Sequence, residues 1–565
     1  MINNRTSSTG GLHGRKLPGE ARQLLTLPVT LQLVAAALLL CACGGGGGGD
    51  APANTPNVTP PVVTPPLTGL VSVATTFSPT CAGVPNSGIL YANAEVEPHI
   101  AINPTNPNNL IGTWQQDRWS NGGAQGITVA ASFDAGVTWA RRALAVSRCG
   151  DGNVANGGDY ERASDPWVTF SPNGTAYQLS LSINGTSFQP GSSSAMLVSR
   201  SIDGGQTWAN PVTLIRDGPQ FFNDKNTITA DTTDSRYVYA VWDRLTTDNR
   251  GPTVLARTTD GGATWEPARI IYDPGVGNQT IGNVIAVLPD GNVINFFTQL
   301  NTVAGNQVGS FAVMRSTDKG LTWSQPITIS NFLGIGTRDP ETGAAIRDSA
   351  FLGQISVGAQ GQLYVVWQDA RFSNGSRDAI AFSRSTDGGL TWSLPVRVNA
   401  DASVQGLIPS VNARADGIIG ISYFDMRSNP ADPATLLTDY WLATSRDGVN
   451  WTDRRISAAF DMATAPIARG YFLGDYMGLV SAGSNFYPFY VRTNDGNITN
   501  RNDVFMTPMN VPLGTTVASV SQRSADATEP AISSALQRQV SDNIVQKMEQ
   551  RVPGWSRLKG LRNQP

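Results

Sequence analysis

The chain has 565 residues, 40% of them hydrophobic and 15% charged, with 59 glycines, 13 tryptophans and a formal net charge of -3. A near-neutral balance without a basic stripe excludes a nucleic-acid groove. Two histidines in the whole chain, His13 and His99, exclude a multi-histidine metal centre and leave only His99 for a serine-type triad.

The amino-terminal stretch places Arg15, Lys16 and Arg22 before an apolar run, Leu33 to Leu40, that ends at Cys41, Ala42 and Cys43. A basic flank followed by a short apolar core is an export signal, too short for a stable membrane span. The Leu-Cys-Ala-Cys ending resembles the lipobox of bacterial lipoproteins. Residues 1–42 are then a signal peptide and Cys43 the lipidated first residue; an ordinary signal cleaved nearby without lipid is the alternative. Either way the protein is expected outside the cytoplasm, and the lipobox reading anchors it by lipid alone in the bacterial cell envelope. Residues 43–67, six glycines and then a Pro/Thr tract, cannot bury a core and read as a flexible tether. In such an oxidising compartment the two remaining cysteines, Cys81 and Cys149, could form a bridge.

From residue 68 to 512 one phrase recurs. Ser/Thr-x-Asp-x-Gly-x-Thr-Trp stands at 132–139, 201–208, 258–265, 316–323 and 385–392, with a shortened copy at 445–451. Its aspartates are Asp134, Asp203, Asp260, Asp318, Asp387 and Asp447, spaced 69, 57, 58, 69 and 60 residues apart. Spacing of this size marks stacked structural units. The aspartate can accept bonds from turn amides, the glycine permits a positive φ, and the tryptophan can pack over the turn it closes. Each copy therefore folds a hairpin, with a strand before it, as at 195–200, and one after it, as at 212–216. Two more strands precede each hairpin, as at 227–230 and 237–242. Four antiparallel strands per unit is a propeller blade.

The phrase resembles the Asp-box, or bacterial neuraminidase repeat, of the sialidase superfamily, and the copies cover the body of the chain. The resemblance implies an all-β propeller whose Asp-box aspartates are structural and lie away from the active face. Six copies give six blades. Three further strands near 474–480, 486–491 and 503–506, with a fourth near 68–74, would make a seventh and fasten the ring, so seven blades are preferred and six are the alternative. In residues 513–565, a polar tail, Leu536, Val540, Ile544, Met548 and Val552 recur at i+4 and predict a short amphipathic helix. It would pack on the propeller or mediate oligomerisation, and the oligomeric state stays open.

In propellers, ligands meet the face formed by loops entering each innermost strand and loops leaving each second strand. Entry positions here hold Glu97 with His99, Arg162 with Asp165, Asp224 with Lys225, Arg347 with Asp348, and Asp475 with Tyr476. Second-strand exits hold Asp117 with Arg118, Asp243 with Arg244, Asp369 with Arg371, Asp425 with Arg427, and Arg492. Arginine forks and carboxylates around one axis would suit an anionic or polyhydroxylated ligand; recurring Asp-Arg pairs can equally be braces within the ring. Sialidases use an arginine triad, an acid/base aspartate and a tyrosine nucleophile assisted by a glutamate. Carried over, the resemblance offers Asp475, Tyr476 and Asp224 as catalytic candidates, and Arg162, Lys225, Arg347, Arg371, Arg427 and Arg492 as substrate-binding ones. The Arg-Ile-Pro motif of that family's first blade is absent, and Glu97-Pro98-His99-Ile100 stands there instead. Two functions follow: an exo-glycosidase acting on glycans with paired carboxylates, or a non-catalytic propeller binding glycans or proteins. No cofactor is implied; a structural calcium ion would suit carboxylates and loop carbonyls, but no fixed spacing argues for one.

Overall fold

The computed structural model describes residues 69–512, except 79, 82–87, 249 and 350, together with 532–551 and 555. The export signal, Cys43, the tether and Val552 lie outside the described residues.

The body is a β-propeller. Each of six antiparallel units carries one octad between its third and fourth strands, as in the first unit: Val96–Ile102, Leu110–Trp119, Ala124–Ser132 and Ala140–Ala143. The innermost strands of the next five units are Arg162–Phe170, Phe221–Ala230, Gln279–Val287, Gln354–Val357 and Gly406–Ala413. A last sheet, led by Gly478–Ala482, has no octad. Its outer strand Asn502–Met506 is paired instead by the start of the described chain: Val71 N–H donates to Val504 O (2.8 Å) and Met506 N–H to Gly69 O (2.8 Å). Successive innermost strands pack against one another, and the seventh packs on the first, so the circuit of neighbours closes after seven sheets. Cys81, a few residues beyond this strap, is joined to Cys149 by a disulfide.

The octads show why the ring holds. In the first, Ser132 Oγ accepts from Gly136 N–H (2.8 Å) while Asp134 accepts from the Thr138 N–H (2.8 Å) and hydroxyl (2.6 Å). Trp139 Nε1 donates back to Gly136 O (3.1 Å), so the ring lies over the turn it closes. These bonds hold the exposed Asp134 carboxyl at about 2. Octads also bind the preceding sheet: Asn109 donates to Gly204 O (3.0 Å), Tyr177 to Gly261 O (2.8 Å) and Arg384 to Asp447 O (2.6 Å). The hairpin is both a turn and a clasp.

One helix, Ser534–Arg551, lies on the fourth and fifth sheets. Leu536, Val540, Ile544 and Met548 form its buried stripe, joined by Trp555, against Phe332, Leu333 and Leu352. Among the described residues no helix is long and apolar enough to cross a membrane.

Candidate functional site

Five innermost strands carry an irregularity near their entry, where one extra residue breaks the pairing register. The residue at each break has a positive φ: Glu97 (54°), Asp165 (50°), Lys225 (49°), Gly282 (67°) and Ile408 (49°). A bulge re-aims a side chain out of the alternating pattern. For a residue with a Cβ the left-handed conformation costs on the order of 1–2 kcal/mol, so Glu97, Asp165 and Lys225 hold strained positions.

Those three side chains meet. Lys225 Nζ lies 2.7 Å from Asp165 Oδ1, 2.5 Å from Asp475 Oδ2 and 3.4 Å from Glu97 Oε1. Arg347 grips Asp475 with two bonds (Nε 2.9 Å, Nη2 2.5 Å) and rests its guanidinium 4.0 Å over the Phe472 ring. Arg347 is placed by a short parallel pairing of Ile346–Arg347 with Tyr471–Phe472, which ties the entries of the fifth and seventh sheets together. Asp475 follows Gly474, whose φ of 149° lets the chain pass Glu97; a Cβ there would meet the Glu97 nitrogen at 2.7 Å. Gln115 donates to Glu97, and Arg118 to Gln115 (2.5 Å).

This is a closed ionic cluster. Glu97, Asp165, Asp475 and Lys225 are exposed by only 1%, 3%, 4% and 8%, and the cavity beside them measures about 60 Å³. That volume takes a few waters and no sugar ring. Lys547 and Gln550 of the helix line the cavity, and Lys547 Nζ pairs with Asp348 (2.5 Å).

Crowding splits the carboxyls. Burial, and then the Asp165 charge, push Glu97 up to about 8 against the pull of Lys225. Burial also acts on Asp475, but Arg347 and Lys225 outweigh it and hold that carboxyl well below the usual range. Lys225 likewise outweighs the burial of Asp165 and lowers it. Near neutrality the axis therefore holds one protonated and two ionised carboxyls, the pattern from which acid and base roles arise.

The structure brings Asp475, Lys225 and Arg347 into contact, with Tyr476 beside them, and places the remaining predicted site residues in other pairings. Tyr476 is buried edge-on to Trp167 (5.1 Å) and donates to Pro166 O (3.0 Å). Burial, with Glu97 and Asp165 close by, raises its phenol well above the ordinary value. Asp224 accepts from the Lys225 backbone N–H (2.9 Å) and sits opposite Asp243. Arg162 stacks 4.4 Å over Trp119 and donates to Gly122 O (2.7 Å). Arg371 braces Asp369 (2.8 Å) and Asn331 O (2.8 Å); Arg427 bridges Asp425 (2.5 Å) and Asp453 (3.0 Å). Arg492 lies 4.7 Å over Phe505. His99 stacks on Trp167 (3.8 Å), and burial lowers it to about 3. Among the described residues no group of three or more His, Cys, Asp or Glu side chains is arranged to hold a metal ion. Sequence reasoning named Glu97 and Asp165 as entry residues but left them out of the catalytic set. The signal was a bulge residue followed by proline, Glu97-Pro98, Asp165-Pro166 and Ile408-Pro409, acidic in the first two.

Opposite pKa shifts set the expected pH dependence. Glu97 keeps its proton to about pH 8 when folded but only to 4.5 in the reference state. Its contribution to stability is therefore complete below pH 4.5 and lost as the pH rises through 8. Asp378, raised to about 7 by burial and then Asp348, acts in the same sense from 3.8 upward. The octad aspartates Asp134, Asp260, Asp318 and Asp387, lowered to about 2, contribute above 3.8 and lose that contribution as the pH falls through 2, a small share given their exposure. Buried Asp475 and Asp165, both lowered, and His99, lowered from 6.5 to about 3, lose stabilisation in the same direction and steepen this limb. Thermal midpoints should peak near pH ~4–5 and decline toward pH 8, with Glu97→Gln flattening the alkaline limb. A midpoint that climbs steadily to pH 8 would refute the protonated Glu97.

No family model matches the chain. Among curated proteins it is similar to xyloglucanase Xgh74A of Acetivibrio thermocellus, 29% identical over 215 residues, which is 35% of this chain. The match spans 22% of the length of that relative. Among solved structures it is similar to the Hadza microbial sialidase Hz136 (TM-score 0.40, 20% identity, 59% of this chain and 64% of that one). An α-L-arabinanase of Penicillium chrysogenum aligns with a TM-score of 0.41 and 14% identity, over 79% of this chain and 99% of that one.

Proposed function

We propose that this chain is an exported, lipid-anchored propeller that hydrolyses glycans at its axis. Glu97 acts as the proton donor, and Asp475 or Asp165 as the ionised partner that stabilises or attacks the sugar. One observation carries the reading: a proton-holding carboxyl and two ionised ones converge where the innermost strands begin. Glycoside hydrolysis needs that division between two carboxyls. The segment resembling a xyloglucanase supports a glycan substrate, and the octads support kinship with Asp-box propellers. Access to the cluster requires the Lys547 and Gln550 side chains to move from the cavity they line.

A second reading, glycan binding without turnover, is favoured by the closure of the cluster, whose carboxylates already pair with Lys225 and Arg347. Incubation with a broad panel of oligosaccharides separates the two. Release of sugar that falls at least about a hundredfold in Glu97→Gln, as loss of a general acid predicts, supports hydrolysis. Saturable binding with no release supports the second reading, and neither binding nor release removes both.

A further inference from the structure

Beside the axial cluster, a groove of about 690 Å³ runs between the C-terminal helix and the loops leading into the fifth and sixth sheets. We propose that this groove is a binding site for a neutral oligosaccharide chain and that the helix is one of its walls. The proposal rests on the glycan-acting reading and adds where the chain lies and what charge it bears.

Size separates the two cavities. The axial one, about 60 Å³, is too small for a sugar while Lys547 and Gln550 line it, whereas the groove falls within the range of small-ligand pockets, about 300–1,000 Å³. The helix faces it with a distinct stripe. Its apolar residues are spent on the sheets, while Gln539, Asp542 and Gln546, at i, i+3 and i+7, share the edge that lines the groove. The helix is fixed there by polar bonds as well as apolar packing: Gln307 N–H donates to Ser541 Oγ (2.9 Å) and Asn543 to Gly334 O (3.0 Å).

The opposite wall is equally built. Buried Asp378 accepts from the backbone N–H groups of Ile335 and Gly336 (2.9 Å each), which fixes the groove floor. Gln405 holds the Arg338 backbone from both sides (3.1 and 2.7 Å). Among the described residues, the two arginines of the lining are held only by long contacts. Arg338 reaches Gly343 O and Gln546 Oε1 at 3.4 Å, and Arg377 reaches Ala402 O at 3.4 Å. Their guanidiniums retain donors for a ligand.

Charge selects the ligand class. Three carboxyl-bearing residues, Asp339, Glu341 and Asp542, face two arginines, so an acidic sugar gains no net attraction. Carboxamides such as Gln539 and Gln546 present a donor and an acceptor side by side, which matches neighbouring sugar hydroxyls. Ile335, Val404 and Met426 add an apolar strip for the C–H face of a ring.

Calorimetric titration of the mature chain with a xyloglucan oligosaccharide, and with a uronic-acid oligosaccharide of similar length, tests the proposal. The Gln539→Ala, Gln546→Ala double variant alters exposed positions and keeps the apolar stripe, so the helix stays docked. Loss of its two amides should weaken binding of the neutral chain about tenfold, while the surface variant Arg236→Met binds like wild type. Saturation with the neutral chain should also slow amide exchange at 338–341, 403–405 and 539–546. Unchanged affinity in the double variant, or tighter binding of the uronic-acid chain, overturns the groove. Binding kept in the double variant while a glycan of the panel is still cleaved overturns the groove and leaves the glycan reading standing. If neither oligosaccharide binds and no glycan of the panel is cleaved, the glycan reading fails and takes the groove with it.

Discussion

Lys225→Met is expected to cost the fold about 3–5 kcal/mol, the penalty for leaving buried charges without their counter-ion. The ammonium touches Asp165, Asp475 and Glu97 at once, and none of the four residues is more than 8% exposed. Methionine keeps most of the stem and removes only the charge, so packing loss contributes little. Asp475 retains Arg347, but among the described residues Asp165 has no second cation in contact. Asp165→Asn in the same chain should therefore recover part of the loss, and a double-mutant cycle in urea measures how much. Arg236→Met supplies the contrast. Arg236 pairs with Asp234 at the surface with its side chain 70% exposed, where solvent screening leaves such a pair little to contribute. If Lys225→Met and Arg236→Met cost the same, the axial cluster is not what joins the innermost strands.

The second large effect concerns the strap. A chain beginning at residue 76 lacks the backbone bonds to Val504 and Met506 and the bond from Ser72 Oγ to Asp503 (2.7 Å). It also lacks the fully buried Val71 side chain and the Thr75 hydroxyl that donates to Asp117 (2.7 Å). At about 1 kcal/mol for each of these four bonds and about 2 for the valine, the loss comes to ~6 kcal/mol. The outer edge of Asn502–Met506 is then left open, which invites association between chains. The truncated protein should unfold at a lower urea concentration and aggregate, and a synthetic peptide spanning 66–76 should reverse both. A truncated chain as stable as the whole one would show that the seventh sheet needs no fourth strand.

The propeller was legible because its signal is local. Asp, Gly and Trp at fixed offsets fold each octad with bonds reaching at most four residues, as between Asp134 and Thr138, so the pattern survives in the sequence whatever surrounds it. The helix was legible for the same reason, through Leu536, Val540, Ile544 and Met548. Its berth on the fourth and fifth sheets was not, since the partner surface comes from residues some 200 positions earlier, such as Gln307 and Gly334. The axis was only half legible. Sequence reasoning found the entries of five of the seven innermost strands, missing those at Gly282 and Ile408, and a bulge shifts which residue faces inward by one. Asp224 and Lys225 are neighbours, yet the bulge turns Lys225 to the axis and leaves Asp224 beside the backbone N–H of Lys225. Two of the Asp-Arg pairs at the second-strand exits are short-range braces, Asp369 with Arg371 and Asp425 with Arg427, whereas Arg244 grips Asp217 and Arg118 donates to Gln115. Their spacing alone does not distinguish that role from ligand binding.

Sealing the circuit through Leu70 and Phe505 imposes an order on biogenesis. Ser72 must find Asp503, 431 residues later in the chain, so the earliest-emerging strand is the last to be used. At roughly 5–20 residues per second the interval is on the order of a minute. Through that interval sheets one to six can assemble on their predecessors as they appear, each clasp engaging a neighbour already made. The first segment meanwhile has no partner and must stay unpaired until synthesis is nearly complete.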